Sequence, residues 1–151
     1  MRGVSLLPCA QTERVGVCVV CDFGLSEAKE QGTMLKDHER AMGTPLWMAP
    51  EVMLFKPFNE KVDVYSFGIV LWEIISRKPP FAHHSDYATF RDAICNKHER
   101  PPIPQGIEPT LVDLLNRCWH PDPEQRYAPS SALTLLSSIL LSSPLPSCPL
   151  L

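Results

Sequence analysis

The sequence has no excess of positive charge. It contains 14 Lys and Arg residues against 17 Asp and Glu residues, which gives a formal net charge of −3 at pH 7. Proteins that bind nucleic acid through its phosphates usually carry a basic patch or stripe. The charge balance therefore gives no support for a nucleic-acid partner.

Long apolar runs are also absent. A membrane-spanning helix needs about 20 consecutive apolar residues, and no segment of the sequence approaches this length. Residues 127–151 carry no charge, but pairs of Ser and the prolines Pro144, Pro146 and Pro149 interrupt them. The apolar patch near Met1 is too short for a convincing signal peptide. We predict no membrane span, an irregular segment at 1–14, and a disordered tail of Pro and Ser at 142–151.

The six cysteines are scattered without the spacing of a disulfide framework. Cys18 and Cys21 form a C-x-x-C, but no second C-x-x-C or paired His motif supplies the other ligands of a zinc site. The pair lies in the β-branched run Val15–Cys21, where alternate side chains point to opposite faces. Buried, reduced cysteines are the preferred interpretation over a zinc site. This usage indicates an intracellular, cytoplasmic protein.

A chain of 151 residues is long enough to bury a core. Its pattern predicts a mainly helical domain with one strand at Val15–Cys21 and a polar surface loop at 25–42. The proline-rich segment Arg100–Pro104 should be extended. The predicted helices are Glu51–Phe55, Lys61–Ile75, a helix capped by Ser85 that runs to Cys95 with Tyr87, Phe90 and Ile94 on one face, Thr110–Trp119, and a last helix that begins at Pro129.

The helix Lys61–Ile75 is apolar on nearly every face. Its polar side chains Asp63, Ser66 and Glu73 share one narrow stripe at helical spacing. A helix of this kind belongs in the centre of a domain.

Five short motifs follow one another along the chain. A single D-F-G triplet recurs by chance, but five ordered motifs do not. They are Asp22-Phe23-Gly24, the run G-T-P-L-W-M-A-P-E at 43–51, the run D-V-Y-S-F-G at 63–68, Pro80-Phe81, and R-C-W at 117–119 followed by P-E-Q-R at 123–126.

These motifs resemble the catalytic domain of eukaryotic protein kinases, and within it the tyrosine-kinase-like group. The resemblance covers residues 15–141 and identifies 22–51 as the activation segment. It implies a partial protein-kinase fold, in which a short strand leads into a helical C-terminal lobe and the N-terminal lobe of the α+β parent is absent.

The resemblance also implies roles for single residues. Asp22 would hold Mg²⁺ against the phosphates of ATP, with Phe23 packed inward and Gly24 giving the backbone freedom; the alternative is an Asp that caps a turn. Thr44 and Trp47 would form the floor under the protein substrate. Thr at that position is typical of serine/threonine kinases. The alternative for Trp47 is a plain core aromatic.

The resemblance implies structural or regulatory roles for several further residues. Glu51 and Arg126 match a buried ion pair that ties the activation segment to the last helices, and a buried charge needs a partner. Asp63 matches a helix carboxylate that accepts hydrogen bonds from the catalytic loop. Ser26 and Thr33 are loop hydroxyls, and Thr33 is the favoured phosphorylation site; an unmodified hydroxyl is the alternative.

Several parts that phosphoryl transfer requires are missing from this sequence. In the family the glycine-rich loop, the strand Lys, its Glu partner and the H-R-D-x-x-x-x-N loop all precede D-F-G, but residues 1–21 contain no His and no Asn. No catalytic residue is therefore assigned. We expect Mg²⁺ and ATP to be cofactors of a complete parent kinase and neither to bind this chain alone.

Three explanations stay open. The sequence could be part of an active kinase, with a protein as its substrate. It could be a short non-catalytic interaction or regulatory module. It could also be half of an enzyme that segments of a partner kinase complete.

Overall fold

The computed structural model describes residues 44–142, and this part of the chain is helical without a strand. The predicted fold class is confirmed there. The expectations for the strand Val15–Cys21, the loop 25–42, the segment 1–14 and residues 143–151 lie outside the described residues. The helices are α1 (Pro50–Met53), α2 (Lys61–Ser76), α3 (Tyr87–Cys95), α4 (Pro109–Cys118) and α5 (Pro129–Ser142), with short 3₁₀ turns at Pro45–Trp47 and Pro123–Gln125.

Helix α2 is the centre of this part of the chain. It contacts α4, α5 and both 3₁₀ turns, as its apolar composition predicts. Its cover is not complete on every face, because the side chain of Ile74 is 67% exposed and Asp63 is also exposed. The helix ends at Arg77, which adopts a left-handed conformation (φ 54°) and donates its backbone N–H to the carbonyl of Glu73. Its buried residues are Val64, Tyr65, Gly68, Ile69, Leu71 and Trp72.

The prediction that Ser85 caps α3 was wrong. Asp86 is the cap, and its carboxylate accepts the backbone N–H of Thr89 at 2.9 Å. An ionised cap both accepts this hydrogen bond and complements the partial positive charge at the helix start. The side-chain hydrogen bond from Thr89 holds the pKa of Asp86 below its ordinary value. Phe90 and Ile94 of the predicted face are buried, while Tyr87 at the start of the helix is 51% exposed and its ring centre lies 6.5 Å from that of Phe90.

The observed ends of other helices differ from the predicted ends by one or two residues, for local reasons. Helix α1 ends at Met53, before the predicted Phe55, which has a left-handed backbone (φ 54°) that α-helix geometry does not allow. Helix α4 begins at Pro109, whose missing N–H costs nothing at the first helical position. Its cap Glu108 accepts the N–H of Leu111 at 3.0 Å. The segment Arg100–Pro104 has no helix, as expected.

The core lies between α2 and the helices on either side of it. It includes residues fixed by a polar contact, such as Trp72, whose indole N–H donates to the carbonyl of Pro102 at 2.9 Å. No helix within residues 44–142 combines the length and apolar character needed to cross a bilayer. The largest fully buried side chains are Tyr65, Met53, Ile69, Ile94, Leu114, Leu115, Pro80 and Cys118.

Gly68 lies at a close approach of α2 and α4. A Cβ atom placed on Gly68 would lie 2.8 Å from the Cβ of Cys118, which is well inside van der Waals contact. Neither atom is the far end of a flexible side chain, so the two helices would have to move apart. This is the packing reason for glycine in the middle of α2.

We predict that Gly68→Ala lowers the free energy of unfolding. Overpacking costs about 1–3 kcal/mol, which exceeds the gain of up to about 1 kcal/mol from the better helix propensity of alanine. Urea unfolding of both proteins measures the difference. The exposed α2 position Ile74 is the control, and Ile74→Ala should change stability by less than about 0.5 kcal/mol. A stability of Gly68→Ala above that of the original chain would contradict the close helix approach.

Candidate functional site

Glu51 and Arg126 form a buried ion pair. Glu51 lies in the first turn of α1 and Arg126 follows the second 3₁₀ turn, 75 positions later in the chain. The two guanidinium nitrogens Nη1 and Nη2 donate to Oε1 and Oε2 at 2.7 and 2.9 Å. The residues are only 7% and 2% exposed. Two parallel charge-assisted hydrogen bonds fix both the distance and the orientation of the partners.

Arg126 also bonds two further segments of the chain. Its Nε donates to the carbonyl of His120 at 2.8 Å and its Nη1 to the carbonyl of Lys61 at 3.1 Å. The ammonium group of Lys61 in turn donates to the carbonyl of Arg126 at 2.7 Å. These bonds join α1, the start of α2 and the segment before α5, so the pair connects the end of the predicted activation segment to the helical lobe.

The turn Pro45–Trp47 is fastened onto α2 by two side chains. The indole N–H of Trp47 donates to Oε2 of Glu73 at 3.1 Å. The hydroxyl of Ser66 donates to the carbonyl of Trp47 at 2.8 Å. Ser66 and Glu73 are two helical turns apart and therefore share a face of α2. Thr44 caps the turn with its backbone, and its exposed side chain makes no capping hydrogen bond.

Sequence reasoning found the polar stripe of α2 but gave Ser66 and Glu73 no role. Their seven-residue spacing within an otherwise apolar helix was the available signal, because a buried helix face carries polar groups only where they have partners. Asp63, the third member, lies exposed in the first turn of α2. Partial desolvation raises the pKa of its carboxyl, and the nearby charge of Glu60 adds to this shift.

Tyr65 lies close to two arginines, an arrangement that the sequence did not suggest. The Cζ atoms of Arg100 and Arg126 are 5.1 and 5.2 Å from the centre of its ring, within the range of cation–π attraction. Within residues 44–142 the buried hydroxyl of Tyr65 has no hydrogen-bond partner. Burial raises the pKa of this hydroxyl to about 12, against the opposing effect of the two guanidinium groups.

Arg100 is less completely hydrogen-bonded than Arg126. Its Nε donates to the carbonyl of Trp119 at 2.8 Å and its Nη1 to the carbonyl of Glu99 at 2.7 Å. Its Nη2 is buried and has no partner among the described residues. Burial lowers the pKa of Arg100. Arg100, like Arg126, lies near prolines in the sequence, but only Arg126 belongs to one of the five motifs.

The remaining predicted site residues, namely Asp22, Phe23, Gly24, Ser26 and Thr33, lie outside the described residues. Their roles in holding Mg²⁺ or in regulation stay predictions. The cleft beside the ion pair, lined by Glu51, Pro57, Phe58, Asn59, Pro123 and Glu124, has a volume of about 80 Å³. Small-molecule sites usually measure about 300–1,000 Å³, so this cleft is too small for a nucleotide.

Comparison with known proteins decides the family. A family model described as protein tyrosine and serine/threonine kinase matches residues 11–135. The chain belongs to the protein kinases. The family recognised from the five motifs, with its tyrosine-kinase-like character, is therefore confirmed, and the helices of residues 44–142 are those of the kinase C-terminal lobe.

The similar curated proteins are kinases of more than one specificity. The dual specificity protein kinase shkC of Dictyostelium discoideum is 52% identical over 82% of this chain, which covers 24% of that protein. The Arabidopsis thaliana serine/threonine/tyrosine-protein kinase HT1 is 44% identical over 71% of the chain, covering 26% of its length. The probable serine/threonine-protein kinase SIS8 of the same plant is 39% identical over 85% of the chain. The chain thus spans about a quarter of the length of shkC and HT1.

We predict that Arg126→Ala strongly destabilises this kinase lobe. The change leaves the carboxylate of Glu51 buried without its partner, which typically costs about 3–5 kcal/mol. Urea or thermal unfolding measures the loss. Arg117 is a matched control, because it is exposed and its Cζ lies 4.4 Å from the centre of the Tyr127 ring; Arg117→Ala should cost about 1 kcal/mol or less. Equal losses in the two variants would contradict a special role of the buried pair.

We predict that Tyr65→Phe reduces the loss of stability at alkaline pH. The pKa of Tyr65 is raised from 10.0 to about 12 in the folded chain, so the unfolded chain releases this proton first. The stabilising contribution is complete below pH 10 and is lost as the pH rises through about 12, a change of roughly 3 kcal/mol. At neutral pH the substitution should change stability little, because the hydroxyl has no hydrogen-bond partner among residues 44–142.

Urea unfolding at several values between about pH 8 and 11 tests this. Burial also raises the pKa of Cys118, from 9.0 to about 12. The decrease in the free energy of unfolding with pH that comes from this thiol should remain in Tyr65→Phe. Identical slopes above pH 10 in the variant and the original chain would show that Tyr65 titrates normally.

Proposed function

We propose that this chain is the C-terminal lobe of a kinase that transfers the γ-phosphate of ATP to serine and threonine hydroxyls of protein substrates. The observation that carries the proposal is the fastening of the Thr44–Trp47 turn onto α2 through Ser66 and Glu73. In the family this turn is the floor on which the substrate rests. Its attachment to the best-buried helix supports that role here.

A fixed floor matters because phosphoryl transfer depends mainly on position and charge. Trp47 is half-buried and held at both its indole N–H and its carbonyl, whereas the side chain of Thr44 is exposed. The turn therefore offers a rigid surface with one accessible hydroxyl. A peptide segment that lies on it would keep its own hydroxyl at a constant distance from the phosphates.

Besides a fixed floor, the proposed activity needs a fixed end to the activation segment, and the Glu51–Arg126 pair provides it. Helix α1 follows the turn directly, and the pair anchors it to the segment before α5. The substrate floor and the helix that follows it are thus both tied to the helical lobe. In a complete kinase Asp22 would bind the Mg²⁺ that neutralises the phosphate charge, and Thr33 is the favoured site of regulatory phosphorylation.

The specificity for serine and threonine rests on Thr44, whose hydroxyl suits a hydrogen bond to a catalytic aspartate. The names of shkC and HT1 state dual or tyrosine-inclusive specificity for those proteins, so transfer to tyrosine is the alternative. Genomic sequence upstream of Met1, examined for an in-frame H-R-D-x-x-x-x-N, would identify a longer protein to test. Phosphoamino-acid analysis of substrates labelled by it then separates the two specificities.

A non-catalytic interaction module is the second candidate function. It is favoured by the apolar side chains exposed on α2 and α5, namely Ile74, Leu133, Leu140 and Leu141. A surface of this kind would suit a partner kinase segment or a regulatory protein. Size-exclusion chromatography with a hydrophobic dye tests it, because a monodisperse monomer that binds no dye would oppose this function.

We propose an intracellular, cytoplasmic location. The described cysteines Cys95 and Cys118 are buried free thiols, as expected of a protein in a reducing compartment. Burial raises the pKa of both thiols, which keeps them protonated and unreactive at neutral pH.

We predict that the 151-residue chain alone gives no measurable phosphate transfer and no binding of Mg-ATP. Its sequence has no match to the catalytic base, the strand Lys or the glycine-rich loop, which together provide nearly all of the rate and the nucleotide affinity. A radiolabel assay with a generic protein substrate and calorimetry with Mg-ATP are the measurements. Asp22→Ala is the control. Turnover in the pure chain that disappears in this variant, or a dissociation constant near micromolar, would contradict the prediction.

A further inference from the structure

Two histidines and a glutamate form a cluster separate from the substrate floor and the ion pair. His83 and His84 lie in the loop between α2 and α3, and Glu99 lies just after α3. The Nε2 atoms of the two imidazoles are 2.8 and 3.1 Å from the same carboxylate oxygen, Oε1 of Glu99. One ligand atom from each of the three residues lies within 4.8 Å of the others.

We propose that His83, His84 and Glu99 bind a divalent transition-metal ion, with Zn²⁺ as the preferred ion. Two imidazole nitrogens and one carboxylate oxygen are a set that zinc accepts, whereas Mg²⁺ and Ca²⁺ prefer oxygen ligands throughout. Three protein ligands leave a fourth tetrahedral position for water. This site does not depend on the proposed kinase activity.

The two distances between a histidine and Glu99 suit a single ion. Ligands placed about 2.0–2.1 Å from a tetrahedral zinc are about 3.3 Å from one another. The observed separations between Glu99 and the two histidines, 2.8 and 3.1 Å, need to open by only a few tenths of an ångström. Both rings present Nε2 on the side of the carboxylate, so the three ligand atoms already face one another.

The backbone and the core hold the ligands in place before any ion binds. The N–H of His84 donates to the carbonyl of Phe81 at 3.1 Å, and the N–H of Glu99 donates to the carbonyl of Ala93 at 2.9 Å. The His84 side chain is 14% exposed and meets the buried Phe90 ring edge-on at 5.8 Å. The His83 side chain is 64% exposed, which gives an ion a path from solvent.

A plain hydrogen-bonded cluster is the competing explanation. Two neutral imidazoles could each donate to Glu99, and the contacts alone would be the same. The two explanations differ in what occupies the space between the three groups. If the cluster is only hydrogen-bonded, it is complete without metal. If it is a metal site, the ion links the loop after α2 to the segment after α3.

Equilibrium dialysis of the chain against Zn²⁺ tests the proposal. The chain should carry Cys18→Ser and Cys21→Ser, so that thiolates of the C-x-x-C cannot bind the ion. We expect one zinc per chain and a rise of the thermal midpoint when Zn²⁺ is added. With Co²⁺ in its place, the absorption spectrum should show d–d bands without sulfur-to-cobalt charge transfer.

Variants locate the ion. His83→Ala, at an exposed position that is safe for folding, and Glu99→Gln, which keeps the side-chain volume, should each weaken zinc binding at least tenfold and abolish the thermal shift. His98→Asn is the control, because His98 is exposed, adjoins Glu99 and has a left-handed backbone (φ 54°) that asparagine tolerates; it should bind zinc normally. No binding by the chain, or equal binding by His83→Ala, would overturn the proposal.

Discussion

The buried pair of Glu51 and Arg126 is the interaction on which the rest of this lobe depends. The two charges lie in an interior where neither could remain unpaired, and their bidentate geometry allows one relative position of α1 and the segment before α5. Arg126 adds bonds to the backbone of Lys61 and His120. Elements that are far apart in the sequence are therefore held by one guanidinium group.

Two aromatic side chains, Tyr65 and Trp47, are held by charged residues of the lobe. Tyr65 places its ring near Arg126 and also near Arg100, so the cation that bonds Glu51 is also covered by an aromatic face. Trp47 is held from the other end of α2 by Glu73. The lobe thus places a few polar and charged groups inside an apolar core and satisfies nearly all of them with partners on different elements.

The sequence predicted what depends on periodicity and motif. Helices α2, α4 and α5 began or ended within a residue of the expected positions, and the partner of Glu51 was identified from the motif around Arg126. Prediction from the sequence failed where either of two neighbouring residues could begin a helix. Ser85 and Asp86 are both good caps, and only the tertiary position of α3 selects the second.

The contacts of Ser66, Glu73 and Arg100 could not be predicted for a different reason. Each of the three makes a hydrogen bond to a residue at least 19 positions away, and the helical pattern gives the face of a side chain but not what lies opposite it. The convergence of His83 and His84 on Glu99 belongs to the same class. The loop before α3 and the segment after it meet there, and no local pattern encodes their meeting.

The attachment of Trp47 to α2 has a consequence for how the lobe opens. Proteins open in cooperative units, and a loop with few buried contacts usually opens alone at low free energy. The Pro45–Trp47 turn is bonded at its indole and its carbonyl to the central helix, so it cannot leave without breaking two bonds to the most buried element. Its amide hydrogens should exchange with solvent in step with those of α2, and the turn and the helix form one cooperative unit.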